Sequence, residues 1–202
     1  MFKIRHIAVD HFQVPLSLAL SDSTHGVITH FGLVTVRLTD DQGREGLGYT
    51  YTVNNIGAAA ISTLIEQDLA ELLLSTNFDS IEAFWEEMWW HVHFIGRGGL
   101  AAFAMAAVDI ALWDLWAKSA NKPLWRLFGG DSCEVKAYAG GIDLEFTLDE
   151  LLTQTEGFLA QGFQAIKMKV GRDVLEQDID RVQAMRKFVG SDFPLMVDAN
   201  MR

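Results

Sequence analysis

Two lysines separated by one residue, Lys167 and Lys169, are the side chains in this sequence best suited to acid–base chemistry. They lie in the segment 165–171, where apolar and polar residues alternate as in a half-buried β-strand. Residues two apart on a strand point to the same face, so both lysines face one side and the apolar residues the other. Two like charges at a separation of about 6.6 Å repel each other by roughly 2.5 kcal/mol at an effective dielectric constant of about 20.

This repulsion predicts a lowered pKa for one of the two lysines, from about 10.4 toward 8–9. Burial or a nearby metal cation would lower that pKa further. A lysine whose pKa lies near neutrality can accept a proton at physiological pH, as a general base must. The alternative is an edge strand with two solvated lysines, and the Lys-x-Lys pattern alone favours that alternative.

A second short strand, residues 195–200, follows 30 residues after the first and carries Asp198 and Asn200 on one face. Asp198 ends a hydrophobic run, as expected at the C-terminal tip of a parallel strand, where α/β barrels bind their ligands. A carboxylate oxygen is a suitable ligand for Mg²⁺. An aspartate that ends a strand and caps the next helix would give the same pattern.

The composition limits the classes of function. Half of the 202 residues are hydrophobic and 11% are aromatic, which argues against disorder. A net charge of −11 argues against binding to nucleic acid or to an anionic membrane. The single cysteine, Cys133, excludes an intrachain disulfide and a cysteine-rich metal site, and it fits a reducing cytoplasm. The N-terminus carries no signal-peptide pattern, and the longest uninterrupted apolar run is far shorter than a membrane span.

The first part of the chain predicts an antiparallel meander. We expect strands over residues 2–14, ended by Pro15, then over 31–39 and 46–51, with a polar loop over 16–30 and a hairpin turn at 40–43.

Helical periodicity follows the meander. It predicts helices over residues 58–74, from a cap at Asp79–Ser80 through Trp89, and over 100–119. Asp109 lies in the third of these helices. Its position fits a metal ligand, but a structural hydrogen bond is the preferred interpretation.

Strands and helices then alternate with a period of 30 residues. Strands are predicted to start at residues 135, 165 and 195, with helices over 149–160 and 174–189 between them. This rhythm is typical of parallel βα units. Three such strands cannot close a barrel, which takes about eight.

These features together resemble the enolase superfamily, in its mandelate racemase and muconate lactonizing enzyme-like group, and within it the acid-sugar dehydratases of the galactarate and talarate type. The resemblance rests on the meander, on the segment 109–114, and above all on Lys167-Met168-Lys169 followed by Val197-Asp198-Ala199-Asn200. It implies an α+β capping domain over residues 1–130. It also implies the start of a modified TIM barrel, of (β/α)7β type, over 131–202 that ends after the third strand.

The resemblance also implies roles for individual residues. Lys169 would be the base that removes the proton α to a substrate carboxylate, and Lys167 would keep the pKa of Lys169 low and contact that carboxylate. Asp198 would be the first of three carboxylate ligands to Mg²⁺, and Asn200 would lie near the substrate. Two capping loops, about 21–30 and 49–57, would set substrate choice. The candidate substrate contacts on these loops are His25 and Tyr51.

The implied activity is Mg²⁺-dependent dehydration of a sugar acid to a 2-keto-3-deoxy acid. Alternatives are a racemase or epimerase and a cycloisomerase of the same superfamily, a Schiff-base TIM-barrel enzyme that uses a lysine, and a non-catalytic relative. The remaining metal ligands and a second acid/base are expected beyond residue 202. The apolar, Trp-rich helical block makes a homo-oligomer plausible.

Overall fold

The computed structural model describes residues 3–75, 77 and 80–201, and it divides the chain into two compact units. The first unit comprises the described residues of Met1–Pro15 and His30–Cys133. The second comprises Leu16–Thr29 and the described residues of Glu134–Arg202.

Three long strands form the sheet at the start of the chain, in the order β1 (Ile4–Asp22), β2 (Gly26–Asp40) and β3 (Glu45–Val53). The three predicted strands and the turn after Asp40 are therefore present. The predicted end of the first strand at Pro15 and the predicted loop over 16–30 are wrong, because β1 continues through this proline to Asp22 and β2 begins at Gly26. The exposed Pro15 lies in a strand at the edge of the described sheet, where a missing N–H breaks no ladder hydrogen bond.

Helices complete the first unit, close to their predicted positions. The helix predicted over 58–74 is observed as α1 (Ala58–Leu64), a π-helical turn (Ile65–Leu69) and α2 (Ala70–Ser75). The remaining helices are α3 (Ile81–His91), α4 (Leu100–Ser119) and the short α5 (Leu124–Leu127). Ser80 caps α3, because its Oγ accepts the N–H of Ala83 at 3.0 Å. Asp79, the other predicted cap residue, lies outside the described residues.

The core of the first unit forms where α4 packs against β3. Gly46 and Gly48 let the two backbones approach, because a Cβ at either position would overlap a carbonyl oxygen of α4. The Asp114 carboxylate ties the two elements together by accepting the N–H of Leu47 at 2.7 Å, and it also accepts a proton from Lys118 Nζ, on the same helix, at 2.7 Å. By length and composition α4 could cross a membrane, although Asp109 and Asp114 interrupt its apolar residues, and half of its most apolar stretch is buried within the protein. The packing of α4 in the core of the first unit therefore explains its apolar composition.

The second unit contains the parallel strands predicted from the 30-residue period. Its elements are β4 (Ala139–Gly140), α6 (Leu148–Ala160), β5 (Ile166–Lys169), α7 (Leu175–Val189) and β6 (Leu195–Asp198), with strand order β4-β5-β6. The prediction of a strand from Val135 is wrong. Since β5 begins at Ile166, opposite Ala139, residues 135–138 pair with no strand in the described part of the chain.

The helices of the second unit cover a separate apolar core. Thr147 and Glu150 form a capping box at the start of α6, in which each side chain accepts a backbone N–H of the other residue. The buried members of this core are Ala139, Phe146, Leu151, Ile166, Met168 and Met185. Ile166 and Met168 turn into this core, so the alternation of the sequence leaves the intervening Lys167 and the following Lys169 on the other face of β5.

The close contact between β3 and α4 predicts that Gly48→Ala destabilises the first unit. The added methyl group would overlap the carbonyl oxygen of Ala107, so α4 would have to move away from the sheet. We expect a loss of about 1–3 kcal/mol in the free energy of unfolding, measured by urea titration. Gly98→Ala is the matched control, because a Cβ there meets nothing within 4 Å. Equal stability of the two variants would contradict this packing.

The Asp40 carboxylate is expected to stabilise the β2–β3 turn to an extent that depends on pH. Its side chain is fully buried and accepts the backbone N–H groups of Arg44 at 2.8 Å and Gln42 at 2.9 Å, and it pairs with the Arg44 guanidinium. Burial alone would raise the pKa of Asp40, but these hydrogen bonds outweigh it and hold the pKa below its ordinary value. The stabilisation is therefore fully present above about pH 4 and is lost as the pH falls through the folded-state pKa.

We expect Asp40→Asn to cost about 1–3 kcal/mol of unfolding free energy at pH 7, with the difference from wild type narrowing below about pH 4. Urea titrations at a series of pH values measure this difference. Asp41→Asn, at the exposed neighbouring position, should change stability by no more than about 0.5 kcal/mol. A difference for Asp40→Asn that is independent of pH would disprove the role of its charge.

Candidate active site

The parallel register of β5 and β6 brings the lysine pair and the aspartate together. Lys169 is the register partner of Asp198, and both residues lie at the C-terminal ends of their strands. Lys169 Nζ lies 3.0 Å from Asp198 Oδ2, and Lys167 Nζ lies 3.2 Å from the same oxygen. The lysine side chains are 10% and 28% exposed, respectively, so the cluster is partly shielded from water but open on one side.

Asn200 joins this cluster from a turn and not from the strand on which it was predicted. β6 ends at Asp198, and Asn200 has a left-handed φ of 57°. Asp198 Oδ1 accepts the N–H of Asn200 at 2.9 Å, which stabilises the turn that ends the strand. The turn directs Asn200 Oδ1 to Lys169 Nζ, 2.7 Å away. Asn200 is thus part of the predicted cluster, but it lies in a turn and not on the strand.

The electrostatics of the cluster are set by Asp198. The N–H of Asn200 and the ammonium groups of Lys169 and Lys167 hold the pKa of Asp198 far below its ordinary value. The hydrogen bond to Asp198 raises the pKa of Lys167, with a smaller contribution from Tyr138, whose ring centroid lies 5.4 Å from Lys167 Nζ. The lowered pKa predicted for one of the two lysines is therefore not found at Lys167, where the hydrogen bond to Asp198 raises the pKa.

The turn between β1 and β2 contacts the end of β6. Ser23 Oγ donates a hydrogen bond to the carbonyl of Ala199 at 2.7 Å. His25 lies two residues along this turn, with Nδ1 2.9 Å from Asp22 Oδ2 and a side chain that is 46% exposed. Asp22 also accepts the backbone N–H groups of Thr24 and His25, so it fixes both the turn and the imidazole. The structure thus places His25 in a turn that is anchored beside Asp198.

Tyr51, the other predicted substrate contact, belongs to the first unit. It lies on β3 with 53% of its surface exposed, and its ring packs edge-on against Phe31 with 5.4 Å between centroids. Its role in substrate binding stays a prediction. Asp109 is half-buried on α4 and hydrogen-bonds to Trp113, in agreement with the preferred structural interpretation.

Sequence reasoning missed two buried side chains beneath the cluster, Asp143 and Arg181. Asp143 Oδ1 accepts the backbone N–H of Lys169 at 3.0 Å and lies 3.3 Å from Arg181 Nη2. Burial raises the pKa of Asp143, while the N–H of Lys169 and the charge of Arg181 oppose that rise. An arginine in a helix usually lies at the surface, so no pattern in the sequence marks Arg181 as buried. Asp143 lies three residues after the end of β4, beyond Gly141 and Ile142, and this position past a strand end is the local signal for a functional polar residue.

A divalent cation fits the chemistry of Asp198 but needs more ligands than this carboxylate. Asp198 is ionised and offers the oxygen atoms that Mg²⁺ prefers, with the amide oxygen of Asn200 nearby. Within residues 3–75, 77 and 80–201, no three His, Cys, Asp or Glu side chains gather as a metal-binding group. The described residues therefore account for one charged ligand of a cation site.

Each of the two parts of the chain matches a known protein family. Residues 6–129 match the family described as mandelate racemase / muconate lactonizing enzyme, N-terminal domain. Residues 150–202 match the family described as enolase C-terminal domain-like. The predicted fold class, an α+β domain followed by the first βα units of a barrel, is confirmed by these matches and by the solved structures of relatives.

Two relatives from Streptomyces coelicolor are similar to nearly the whole chain. A 3,6-anhydro-alpha-L-galactonate cycloisomerase is 53% identical over 199 residues, covering 98% of this chain and 55% of the relative. The crystal structure of a racemase with bound magnesium has a TM-score of 0.95 at 54% identity, covering 98% of this chain and 55% of that one.

An enzyme from Salmonella typhimurium is similar at lower identity. L-talarate/galactarate dehydratase is 32% identical over 196 residues, covering 94% of this chain and 48% of the relative. Its crystal structure with Mg and L-lyxarohydroxamate has a TM-score of 0.91 at 30% identity, covering 98% of this chain and 52% of that one. The chain thus spans about half the length of the relatives that it matches.

Proposed function

Because this chain belongs to the mandelate racemase / muconate lactonizing enzyme family of the enolase superfamily, we propose that Lys169 removes the proton α to the carboxylate of a sugar acid. The convergence of Lys169 on Asp198 and Asn200, at 3.0 and 2.7 Å, is the observation that supports this proposal. It puts a candidate base beside a candidate metal ligand at the C-terminal ends of parallel strands, where barrel enzymes bind their substrates.

The two lysines are suited to different tasks. A proton α to a carboxylate is weakly acidic, so a base must lie close to it and must be able to take it up. Lys169 is the more buried of the two, and its contacts with Asp198 and Asn200 fix the position of its amine. Lys167 keeps its charge near neutral pH, because its pKa is raised by Asp198, and a lasting positive charge suits the binding of a carboxylate. We therefore assign proton removal to Lys169 and carboxylate binding to Lys167.

Asp198 would hold Mg²⁺, the cation named in the solved structures of the Streptomyces and Salmonella relatives. When bound, Mg²⁺ supplies positive charge that stabilises the negative charge developing on the substrate carboxylate as the α proton leaves. Lys167 and Lys169 would have to share Asp198 with the cation, which would free the Lys167 ammonium for the substrate carboxylate and the Lys169 amine for the α proton. Other ligands would come from the substrate, from water or from residues outside the described chain.

Further substrate contacts are proposed for Asn200, His25 and Tyr51. Asn200 has a side-chain amide next to Lys169, so it can bond a substrate oxygen near the reacting carbon. His25 is oriented by Asp22 through Nδ1, which leaves Nε2 to face a substrate hydroxyl. Tyr51 offers an exposed phenol that can take part in the same kind of bond.

Loss of the oxygen at the β carbon is the step that we propose after proton removal. In an anhydro sugar acid of the kind named for the Streptomyces cycloisomerase, the oxygen on C3 belongs to a ring. The C2–H electrons form the C2–C3 double bond while the C3–O bond breaks, so the ring opens and the oxygen takes up a proton. The resulting enol becomes a 2-keto-3-deoxy acid with the same atoms as the substrate.

Dehydration, the activity predicted from the sequence, differs only in the leaving oxygen. In a sugar acid with a free β-hydroxyl, such as the substrates named for the Salmonella dehydratase, the same electron movement expels water. Both reactions give a 2-keto-3-deoxy acid. We rank ring opening first because of the 53% identity to the cycloisomerase, with dehydration second at 32% identity to the dehydratase.

Product mass separates the two candidates. We predict that the complete protein with Mg²⁺ converts 3,6-anhydrogalactonate into a keto acid of unchanged mass, as measured by mass spectrometry and by reaction of the keto group with semicarbazide. Galactarate and talarate serve as the parallel substrates, whose keto acid products would be lighter by one water. Turnover of those two alone would establish dehydration instead. A change of configuration at C2 without any keto acid would establish racemisation or epimerisation.

Paired variants test the roles of the base and the metal ligand. We predict that Lys169→Ala abolishes exchange of the substrate α proton with deuterated water, measured by NMR, whereas binding of Mg²⁺, measured by calorimetry, survives. Asp198→Asn should lower the affinity for Mg²⁺ at least about tenfold, and α-proton exchange should fall with it because the cation stabilises the developing charge.

Two outcomes would contradict these assignments. Unchanged α-proton exchange in Lys169→Ala would remove Lys169 as the base. Trapping of a carbonyl substrate on a lysine by borohydride would support the Schiff-base alternative.

A further inference from the structure

Two buried side chains, and not a neighbouring strand, hold the backbone of Lys169 on one side. β4 ends at Gly140, the register partner of Lys167, so within the described residues no strand lies opposite Lys169 on that side. The Asp143 carboxylate accepts the N–H of Lys169 at 3.0 Å, and Arg181 Nη2 donates to its carbonyl at 3.4 Å. These side chains therefore replace the missing ladder at the last residue of β5.

Asp143 and Arg181 are themselves held firmly. Their side chains are 1% and 4% exposed and form an ion pair at 3.3 Å. Arg181 also donates to the carbonyl of Asp143 at 2.9 Å and to that of Phe146 at 2.7 Å. A planar guanidinium bound to several acceptors has little freedom to move, so the pair provides a rigid support.

The support matters because Lys169 is where the chain leaves the sheet. The next residue, Val170, donates its N–H to the backbone carbonyl of Asp198, and Gly171 follows with a left-handed φ of 109°. A strand end without ladder bonds opens easily. The Lys169 side chain spans from this end to Asp198 and Asn200, so a shift of its backbone moves the ammonium group away from both.

We propose that Asp143 and Arg181 are positioning residues that fix the amine of Lys169 by fixing its backbone. This proposal rests on the proposed role of Lys169 as the base. The pair contacts the backbone of Lys169 and acts through it. Displacement of a reacting group by about 1 Å can cost about a hundredfold in rate, so loss of the support should reduce the rate of proton removal more than substrate binding.

Asp40 supplies a matched control for the structural part of this role. It too is a buried aspartate that accepts backbone N–H groups and pairs with an arginine, Arg44. It belongs to the first unit, whereas Asp143 and Lys169 belong to the second. Replacing either aspartate should therefore destabilise the protein to a similar extent. Only replacement of Asp143 should also lower the rate of proton removal.

The test compares Asp143→Ala, Asp143→Asn and Asp40→Ala in the complete protein with Mg²⁺, at a temperature where each variant is folded. We expect Asp143→Ala to lower kcat and α-proton exchange about 30- to 100-fold with KM within about threefold of wild type. Asp143→Asn keeps an oxygen acceptor for the Lys169 N–H and should stay within about fivefold of wild type. Asp40→Ala should lower the melting temperature and leave kcat within about twofold.

Crystal structures of the same variants give a readout that does not depend on activity. We expect the distance from Lys169 Nζ to Asp198 Oδ2 to increase by about 1 Å in Asp143→Ala and to stay near its wild-type value in Asp143→Asn. An unchanged lysine position in Asp143→Ala, or an unchanged kcat, would overturn the positioning role. So would an equal loss of rate in Asp143→Asn and Asp143→Ala.

Two further controls complete the design. If Asp143→Ala does not fold, Arg181→Lys takes its place, because a lysine cannot reach the carbonyl groups of Asp143, Phe146 and Lys169 together. We expect its kcat to fall about tenfold at similar KM, and wild-type kcat would overturn the proposal. Absence of α-proton exchange in the wild-type protein would instead disprove the proposed function, while the crystallographic comparison would still decide the positioning role.

Discussion

One carboxylate oxygen, Asp198 Oδ2, binds two ammonium groups, and the parallel pairing of β5 with β6 makes this possible. Lys169 and Asp198 are register partners, and Lys167 lies one pleat away on the same face. A register shift of one residue would turn both lysines toward the core now filled by Ile166 and Met168. The apolar side of β5 therefore keeps both lysines on the opposite face of the strand. The buried Asp143–Arg181 pair holds the end of the strand through the backbone of Lys169.

Alternation along a strand made the cluster predictable from the sequence. Period-two patterns put both lysines on one face, and the 30-residue spacing put Asp198 on the next parallel strand. The same reasoning failed where a side chain, and not periodicity, decides the backbone. Asn200 lies in a turn stabilised by Asp198, and β1 passes through Pro15 because an edge strand tolerates a missing N–H. Asp143 and Arg181 could not be predicted, because their partners are main-chain groups that become available only where β4 stops.

The raised pKa of Lys167 has a similar origin. Spacing along one strand is visible in a sequence, so the sequence reveals the repulsion between the two lysines but not their contact with Asp198. The attraction to Asp198 depends on a residue 31 positions away and on the distance across the sheet, 3.2 Å. That contact is shorter than the spacing of about 6.6 Å along the strand, so the attraction dominates. The contact with the carboxylate therefore decides the direction in which the pKa of Lys167 shifts. A cation bound to the same carboxylate would change that pKa again.

The proposed first step would explain how similar chains can carry different activities. Removal of the α proton needs a base, a charge that binds the carboxylate and a stabilised oxyanion, and none of these depends on what leaves the β carbon. A ring ether and a hydroxyl differ only in what remains attached to the leaving oxygen. Groups that contact the β oxygen and the distal part of the sugar must therefore separate ring opening from dehydration. The turn that carries His25 is anchored beside Asp198 through Ser23, so it can vary its exposed residues without moving the lysine pair. If Lys169 acts as proposed, β5 and β6 would define the reaction class, and the turn that carries His25 would contribute to the choice of substrate.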